Sequence, residues 1–478
     1  MLIRTKILAT VGPASGSVEI LRELVQAGCD AFRINFSHGS DEQREEFLRN
    51  IRMVESELGC PVAVCGDLCG PKIRVGLMTG GGVLLGQGQE IVIQRNPIEG
   101  TTRRISTTLA ELVDDVKPGE QILLDDGKIE MEVLRTCPPD EIVCKILVGG
   151  ILGSGKGVNL PGTNLRLSAL TEKDRRDVEW ISQRDFDYVA LSFVQRAGDV
   201  LALRELLQSR NSSAHIIAKI EKPQALDDLE NIVSAADAIM VARGDLGVEM
   251  PLPAVPVAQK QITALAQRMG KPCIIATQML ESMIASPTPT RAEVSDVANA
   301  VLDHADAVML SGETAVGKYP VETVAVMNKT VAAIQAYHDN APQVGLVENI
   351  GSPTTTAIAS AVREIIRTED VAAVALFTAT GDTARAMAKT RLSRPVLALA
   401  SSETAVRRMC LYYGVISRLA QTPTHTRDLL NEVSKVVAEL GIAKTGDRLV
   451  VVSGRPIGKP GHTNTIVVHT VGANPNTE

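Results

Sequence analysis

Charged and polar side chains recur at or just after the ends of short apolar segments along this chain. In chain order they are Arg33, Asn35, Ser37, His38, Asp67, Lys72, Arg74, Ser192, Lys219, Glu221, Arg243, Gly244, Asp245, Thr277, Ser311 and Glu313. Cations are more numerous in this set than structural ion pairs require. The set therefore favours an anionic, phosphorylated substrate, because phosphoryl transfer is catalysed chiefly by positioning and neutralisation of charge.

Two acids of this set, Glu221 and Asp245, follow two adjacent apolar segments. A hard divalent ion with few protein ligands is commonly held in this way, so Mg²⁺ or Mn²⁺ is the expected metal. Any one of the polar residues, taken alone, is better explained as a surface ion pair or a strand-end cap. Their shared position at segment ends is what favours a site.

The elements that must position these residues are short runs rich in Ile, Val and Ala. Eight such runs predict strands at residues 6–11, 31–36, 62–67, 188–193, 216–220, 238–242, 273–277 and 307–310. Between them, stretches with helical period occur at 41–58, 172–184, 224–236, 254–269 and 291–304, each long enough for a crossover helix. We therefore predict an α/β fold with a closed (β/α)₈ barrel, whose active site forms at the C-terminal ends of its strands.

Two further units interrupt and follow the barrel. A Gly-rich, β-branched stretch separates the third and fourth strands and predicts an all-β insertion at residues 72–167, a small β-barrel that would act as a lid. The barrel is thus predicted over residues 1–71 and 168–342. After it, five more strands alternate with helices. They predict a C-terminal α/β domain over residues 343–478.

Composition narrows the class of partner. The chain has 478 residues, a net charge of −7 and no block of like charges, so nucleic acid is an unexpected partner. No apolar stretch reaches transmembrane length, and we expect a soluble cytoplasmic protein without membrane contact. The eight cysteines are expected to be free thiols, and the spacing of Cys60, Cys65 and Cys69 does not fit a zinc site.

Seven segments, taken together, resemble motifs of the pyruvate kinase family in that family's order. They are residues 5–13 (TKILATVGP), 33–39 (RINFSHG), 218–221 (AKIE), 240–247 (MVARGDLG), 276–282 (ATQMLES), 289–299 (PTRAEVSDVAN) and 309–315 (MLSGETA). Residues 156–161 (KGVNLP) and the C-terminal domain extend the resemblance to nearly the whole chain. The resemblance implies phosphoryl transfer from phosphoenolpyruvate to ADP.

The resemblance also implies residue roles. Glu221 and Asp245 would hold the Mg²⁺, and Lys219 would stabilise the phosphoryl group in transit. Arg33 would bind the phosphoryl oxygens, while Gly244, Asp245 and Thr277 would bind the carboxylate, with Ser192 beside them. Thr277 would also relay a proton to the enolate. The nucleotide would be bound by His38, Asn35, Arg74 and Lys156.

Two positions depart from the family pattern. Relatives that need potassium carry an acidic residue where this chain has Lys72, beside a pocket formed by Asn35, Ser37, Asp67 and the Leu68 carbonyl. A tethered ammonium can supply the same charge, so K⁺ is expected not to be required. His304 stands where the family commonly has Gly, which we interpret as a change of capping or packing.

The residue pattern of the C-terminal domain predicts a phosphate-binding loop, which we call the cradle. In residues 377–384 (FTATGDTA) a strand ends in hydroxyl residues and a glycine before a helix, which favours anion binding through Thr378, Thr380, Gly381 and Thr383. A second Gly-rich loop, with Ser453, Gly458 and Gly461, would close over a sugar. The resemblance implies a phosphorylated allosteric effector and a homotetramer.

Two other classes of function stay open on sequence grounds. Metal-dependent aldolases and lyases also stabilise a pyruvate enolate on a barrel, but they lack the insertion and the C-terminal domain. A metabolite-sensing scaffold that kept the fold is disfavoured because every expected catalytic position is filled.

Overall fold

The computed structural model describes residues 3–163, 168–339, 352–459 and 461–473. The boundaries predicted at 167 and at 342/343 lie outside these ranges. No helix in the described part of the chain is long and apolar enough to cross a membrane. All eight cysteines are free thiols.

Eight parallel strands close into a barrel in chain order. The strands are Lys6–Val11, Ala31–Asn35, Ala63–Asp67, Tyr188–Leu191, His215–Ile220, Ala238–Ala242, Cys273–Ala276 and Ala307–Leu310. The main helices around them are Val18–Gln26, Asp41–Leu58, Glu172–Ser182, Ala197–Ser209, Leu229–Ala235, Val255–Arg268, Arg291–Leu302 and Pro320–Asp339. The predicted barrel is confirmed, with strand ends within two residues of the predicted ones.

One helix that was predicted to be continuous is interrupted. The segment predicted as a single helix over 224–236 is divided into Gln224–Asp227 and Leu229–Ala235. Asp228 lies between them with a φ of −113°, outside the helical region. Its carboxylate accepts a hydrogen bond from the backbone N–H of Ala197 at 2.7 Å, so the side chain caps the neighbouring helix.

The barrel interior is filled by small side chains around a few large ones. Alanines from six strands, together with Tyr188 and Met240, form this inner cluster. At the base the cluster is completed by Cys410 and Leu411 of the C-terminal domain, and the Tyr188 hydroxyl donates to the Arg408 carbonyl at 2.7 Å. The C-terminal domain therefore closes the end of the barrel opposite the strand C-termini.

The insertion is a curled six-stranded sheet with an additional two-stranded sheet. The strands are Gly82–Leu85, Glu90–Gln94, Arg104–Ser106, Gln121–Leu124, Ile129–Cys137, Glu141–Val148, Gly150–Gly153 and Val158–Asn159. A four-residue helix, Leu112–Asp115, interrupts the otherwise all-β unit. Its own core of buried Ile, Val and Leu side chains is separate from that of the barrel.

The C-terminal domain is a five-stranded sheet with helices packed against it. Its strands are Ala373–Phe377, Val396–Ala400, Val415–Leu419, Arg448–Gly454 and Thr463–Thr470, and its helices are Pro353–Thr368, Asp382–Lys389, Glu403–Arg408 and Thr426–Glu439. In space, the third strand is followed by the second, first, fourth and fifth, and only the fifth is antiparallel to its neighbour.

Four aspartates form a repeated pattern at the base of the barrel, which we call the carboxylate belt. Asp30, Asp187, Asp237 and Asp306 each immediately precede an even-numbered strand, and each accepts a hydrogen bond from a backbone N–H at or near the start of the preceding odd-numbered strand. Each also pairs with a basic side chain, Lys6, Arg52, Arg204 and Lys389 respectively. The belt thus joins the strands at their base in four pairs.

Asp306 differs from the other three because its cations come from the C-terminal domain. Lys389 lies 2.6 Å and Arg391 3.2 Å from its carboxylate, and Asp306 and Lys389 are each 1% exposed. Arg391 also donates to the carbonyl of His304, which has a left-handed φ of 64°. That φ explains why glycine suits this position, which follows the end of the helix Arg291–Leu302 by two residues.

We predict that Asp306→Asn destabilises the protein by about 3 kcal/mol, because it keeps the acceptor for the Cys273 N–H but leaves two buried cations without their counter-charge. The matched control is Asp237→Asn, whose partner Arg204 is 30% exposed and lies within the barrel, and which should cost much less. Urea unfolding followed by circular dichroism measures both. Equal losses for the two variants would contradict the interpretation.

Candidate active site

The C-terminal rim of the barrel is organised around the buried carboxylate of Asp67. Arg33 donates from Nε to Asp67 Oδ2 at 2.6 Å, and Lys219 Nζ lies 3.2 Å from Asp67 Oδ1. Asp67 is 1% exposed. Burial raises the pKa of this carboxyl, but the Lys219 and Arg33 cations more than offset it, so the pKa lies below the usual aspartate value. Asp67 therefore holds two cations in place as an anion.

Lys219 connects Asp67 to the next strands. Its ammonium lies 2.8 Å from Glu221 Oε1 and donates to Ser192 Oγ at 2.7 Å, and Ser192 Oγ donates to the Leu68 carbonyl at 2.8 Å. Burial lowers the pKa of Lys219, but the two carboxylates raise it further, so the pKa lies above the usual lysine value. The ammonium is a fixed positive charge at the mouth of the barrel.

Glu221 is a buried carboxylate whose negative charge is only partly compensated by Lys219. Phe193 N–H donates to its Oε2 at 2.8 Å. Burial and the nearby Asp245 carboxylate both raise its pKa, against the opposing effect of Lys219. Two acidic side chains brought together in this way fit a divalent cation with few protein ligands, and oxygen donors suit Mg²⁺ or Mn²⁺. Among the described residues, no group of three or more His, Cys, Asp or Glu side chains forms a fuller metal cage.

Thr277 adopts an unusual backbone conformation for a β-branched residue, with a φ of 70°. Its hydroxyl donates to the Ala276 carbonyl at 2.6 Å and accepts from the backbone N–H of Gly244 at 2.7 Å. Arg243 donates to the Thr277 carbonyl at 2.9 Å and pairs with Asp296 at 2.7 Å. These contacts fix the left-handed backbone and join the ends of the sixth and seventh strands.

The other residues predicted to bind nucleotide belong to two domains, the insertion and the barrel. On the insertion, Lys156 pairs with Asp125 at 2.9 Å, and Arg74 donates to the Gly155 carbonyl at 2.9 Å. On the barrel, His38 is exposed and the Asn35 side chain accepts from the Ser37 N–H at 3.0 Å. Both insertion residues are therefore engaged with their own domain.

Lys72 lies at the start of the insertion and is exposed. It lines a cavity between insertion and barrel together with Phe193 and Asp245. Asn35, Ser37, Asp67 and Leu68, the other residues of the predicted monovalent-cation pocket, do not line that cavity. The Asp67 charge is met directly by Arg33 and Lys219.

Most of the predicted effector residues line a cavity of about 280 Å³ in the C-terminal domain. Thr378, Thr380, Thr383, Gly458 and Gly461 are part of its lining. The Gly381 N–H donates to Thr378 Oγ1 at 3.0 Å, and Gly381 has a φ of 94°. Ser453 is buried and precedes Gly454, which lines the cavity. The two loops predicted to act together are thus adjacent.

Comparison with known proteins decides the family. The family model for the pyruvate kinase barrel domain matches residues 2–324, and that for the pyruvate kinase alpha/beta domain matches residues 356–469. The chain belongs to the pyruvate kinase family. The pyruvate kinase fold accounts for the barrel, the insertion and the C-terminal domain together, and the chain is a phosphotransferase.

Individual pyruvate kinases are similar over nearly the full length. One from Agrobacterium vitis is 43% identical and covers 99% of this chain and 98% of its own. One from Mycobacterium tuberculosis is 40% identical and covers 99% of each. The crystal structure of a pyruvate kinase from Cryptosporidium parvum superposes with a TM-score of 0.91 at 34% identity, covering 98% of this chain and 96% of that one. The aldolase and scaffold alternatives are thereby set aside.

Sequence reasoning missed several residues of this pyruvate kinase site. Thr10 is the last residue but one of the first strand and accepts from Arg33 at 3.1 Å, so its position near a strand end was an available signal. Lys222 and Glu249 form a buried ion pair at 3.1 Å beside the cleft. Nothing in their sequence spacing indicates that contact.

Proposed function

We propose that the barrel rim transfers the phosphoryl group of phosphoenolpyruvate to ADP, giving pyruvate and ATP. The observation that carries this proposal is the cluster of Arg33, Lys219 and Glu221 around buried Asp67. Two fixed cations face a site that also contains acidic groups for a metal. This is the charge arrangement that phosphoryl transfer requires.

In the proposed reaction an oxygen of the ADP terminal phosphate attacks the phosphorus while the bond from phosphorus to the enol oxygen breaks. Arg33 binds the phosphoryl oxygens, and Lys219 neutralises their charge as the group moves. Because Asp67 and Glu221 hold Lys219 before substrate arrives, little reorganisation is needed during transfer. Ser192 orients the Lys219 ammonium.

Glu221 and Asp245 would hold Mg²⁺ or Mn²⁺, which supplies Lewis-acid stabilisation of the substrate oxygens when bound. The Gly244 N–H and the Thr277 hydroxyl would bind the substrate carboxylate. The enolate left by transfer takes a proton at its terminal carbon to become pyruvate, and the Thr277 hydroxyl would relay that proton. His38, Asn35, Arg74 and Lys156 would bind the nucleotide, and the insertion would exclude water as a lid.

We predict that Lys219→Met lowers turnover by more than the 10²–10³ that loss of one fixed donor commonly costs, while binding of phosphoenolpyruvate and metal is largely kept. The matched control is Lys6→Met, which removes a lysine that is 8% exposed and ion-paired at the opposite end of the barrel. Coupled ATP formation measures turnover. Near-normal turnover in a well-folded Lys219→Met protein would disprove the assignment.

We further propose that the enzyme does not need K⁺, because Lys72 supplies a tethered positive charge at the edge of the site. In support, Lys72 makes no ion pair within the described residues and faces the same cavity as Asp245. Asn35, Ser37, Asp67 and the Leu68 carbonyl would form the pocket that K⁺ occupies in relatives. The metal requirement would then be for the divalent ion alone.

We predict full activity in tetramethylammonium buffer without K⁺, and a K⁺ requirement in Lys72→Glu. Lys117→Glu is the control, because it makes the same charge change on the exposed surface of the insertion. Initial rates are measured with and without K⁺ at constant ionic strength. Strong activation of the unmodified enzyme by K⁺ would refute the proposal.

We also propose that the C-terminal cavity binds a sugar monophosphate or nucleoside monophosphate that activates a homotetramer. Burial raises the pKa of Asp382, but hydrogen bonds from Arg385 and Thr380 lower it further, so this carboxylate stays charged beside the cradle. A second phosphate nearby would be repelled. Activation would appear as a lower half-saturating phosphoenolpyruvate concentration.

We predict stronger activation by glucose 6-phosphate, ribose 5-phosphate or AMP than by fructose 1,6-bisphosphate, and loss of that activation in Thr380→Glu. A carboxylate at position 380 would add negative charge to the cradle. Thr368→Glu, at an exposed helix end of the same domain, is the control. Saturation curves for phosphoenolpyruvate measure the effect. Preference for the bisphosphate would contradict the proposal.

A further inference from the structure

A buried carboxylate on the barrel receives a hydrogen bond from the insertion. Asn159 lies in the last described strand of the insertion, and its Nδ2 donates to Glu249 Oε1 at 2.9 Å. A carboxylate only accepts when ionised, so the amide nitrogen must face it. The side chain of Glu249 is 2% exposed. This contact therefore joins the two domains through a desolvated charge.

Glu249 is also tied to the segment that carries Glu221. Lys222 directly follows Glu221, and its Nζ lies 3.1 Å from Glu249 Oε1, the same oxygen that Asn159 contacts. Lys222 is 8% exposed in its side chain. The charge of Glu249 is thus compensated within the barrel, by a pair that does not involve the insertion.

Glu249 is equally tied to the segment that carries Asp245. Both belong to the helix Arg243–Glu249 and are four residues apart, which places them on one face of the helix. The pair of Lys222 and Glu249 consequently bridges the two segments from which the proposed metal ligands come. Asn159, Lys222, Asp245 and Glu249 line one cavity between insertion and barrel.

The Glu249 carboxylate does not use all of its hydrogen-bond acceptors. Glu249 Oε2 is buried and has no hydrogen-bond partner. A buried acceptor without a donor is unfavourable, so each donor that Glu249 receives matters more than one on an exposed carboxylate. Without the Asn159 donor, Glu249 would retain Lys222 alone.

We infer that Asn159 and Glu249 are positioning residues that latch the insertion over the barrel in its closed position. Lys222 orients the Glu249 carboxylate for this contact. Because the latch rests on the segments that carry Glu221 and Asp245, the arrangement of those segments and lid closure favour each other. The inference rests on the proposed phosphoryl-transfer site beneath the lid and adds the contact that closes it.

The latch is tested first by Asn159→Ala. The hydrogen bond is made only with the lid closed, so kcat and kcat/KM should fall together by about tenfold, with KM for ADP and phosphoenolpyruvate within about twofold of wild type. Thr163→Ala removes a hydrogen bond of 2.8 Å to Glu120 inside the insertion and should leave these parameters unchanged. Unchanged kinetics in Asn159→Ala would overturn the inference.

A charge exchange gives the sharper test. Asn159→Asp places two carboxylates against each other and should lower kcat by about 10²-fold, whereas the double variant N159D/E249Q restores a donor and an acceptor and should recover kcat to within about threefold of wild type. A double variant no more active than Asn159→Asp, with an intact circular dichroism spectrum, would overturn the latch. If these variants disprove the latch while Lys219→Met is inactive, the proposed function still stands. If Lys219→Met keeps its activity, the proposed function itself is disproved.

Discussion

The arrangement of the active site depends on one buried negative charge. Asp67 lies at the end of the third strand, where Arg33 from the second and Lys219 from the fifth converge on it. Asp67 is the counter-charge that the two cations share, and removing a partner from a buried ion pair costs about 3–5 kcal/mol. Asp67 therefore fixes the positions of both cations before any substrate binds. Lys219 in turn fixes Glu221 and Ser192, so one carboxylate determines the relative placement of side chains from four strands.

The base of the barrel contributes contacts that stabilise the fold, whereas the rim carries the residues of the active site. At the base, aspartates accept from backbone N–H groups and the C-terminal domain inserts Cys410 and Leu411 against the inner cluster. At the rim, backbone strain at Thr277 and the excess of negative charge at Glu221 are tolerated, since the strands are already joined at their other end. The insertion contacts the rim through the hydrogen bond from Asn159 to Glu249. Under the proposed latch, movement of the insertion would change the site without loosening the base of the barrel.

The fold and much of the site could be predicted from the sequence, because both depend on residue patterns within short segments of the chain. Apolar runs predict the eight strands, and polar residues near or after the C-terminal ends of these strands predict Arg33, Lys219, Glu221 and Asp245. Contacts between distant segments could not be predicted in this way. Asn159 and Glu249 are 90 residues apart and neither stands in a charged cluster. The left-handed backbone of Thr277 depends on Arg243, and the helix break at Asp228 depends on Ala197 in the preceding unit. In each case a side chain of ordinary type acquires its role from a partner that only the closed barrel supplies.

The carboxylate belt gives the barrel a period of two strands rather than one. Asp30, Asp187, Asp237 and Asp306 recur in the same register, so the structure can be viewed as four copies of a two-strand module with fourfold pseudosymmetry. At the base, an aspartate joins the two strands within each module, whereas at the rim the ion pairs of Asp67 with Arg33 and Lys219 join successive modules. Rearranged or shuffled barrels made from this chain should accordingly tolerate junctions between modules better than junctions within one.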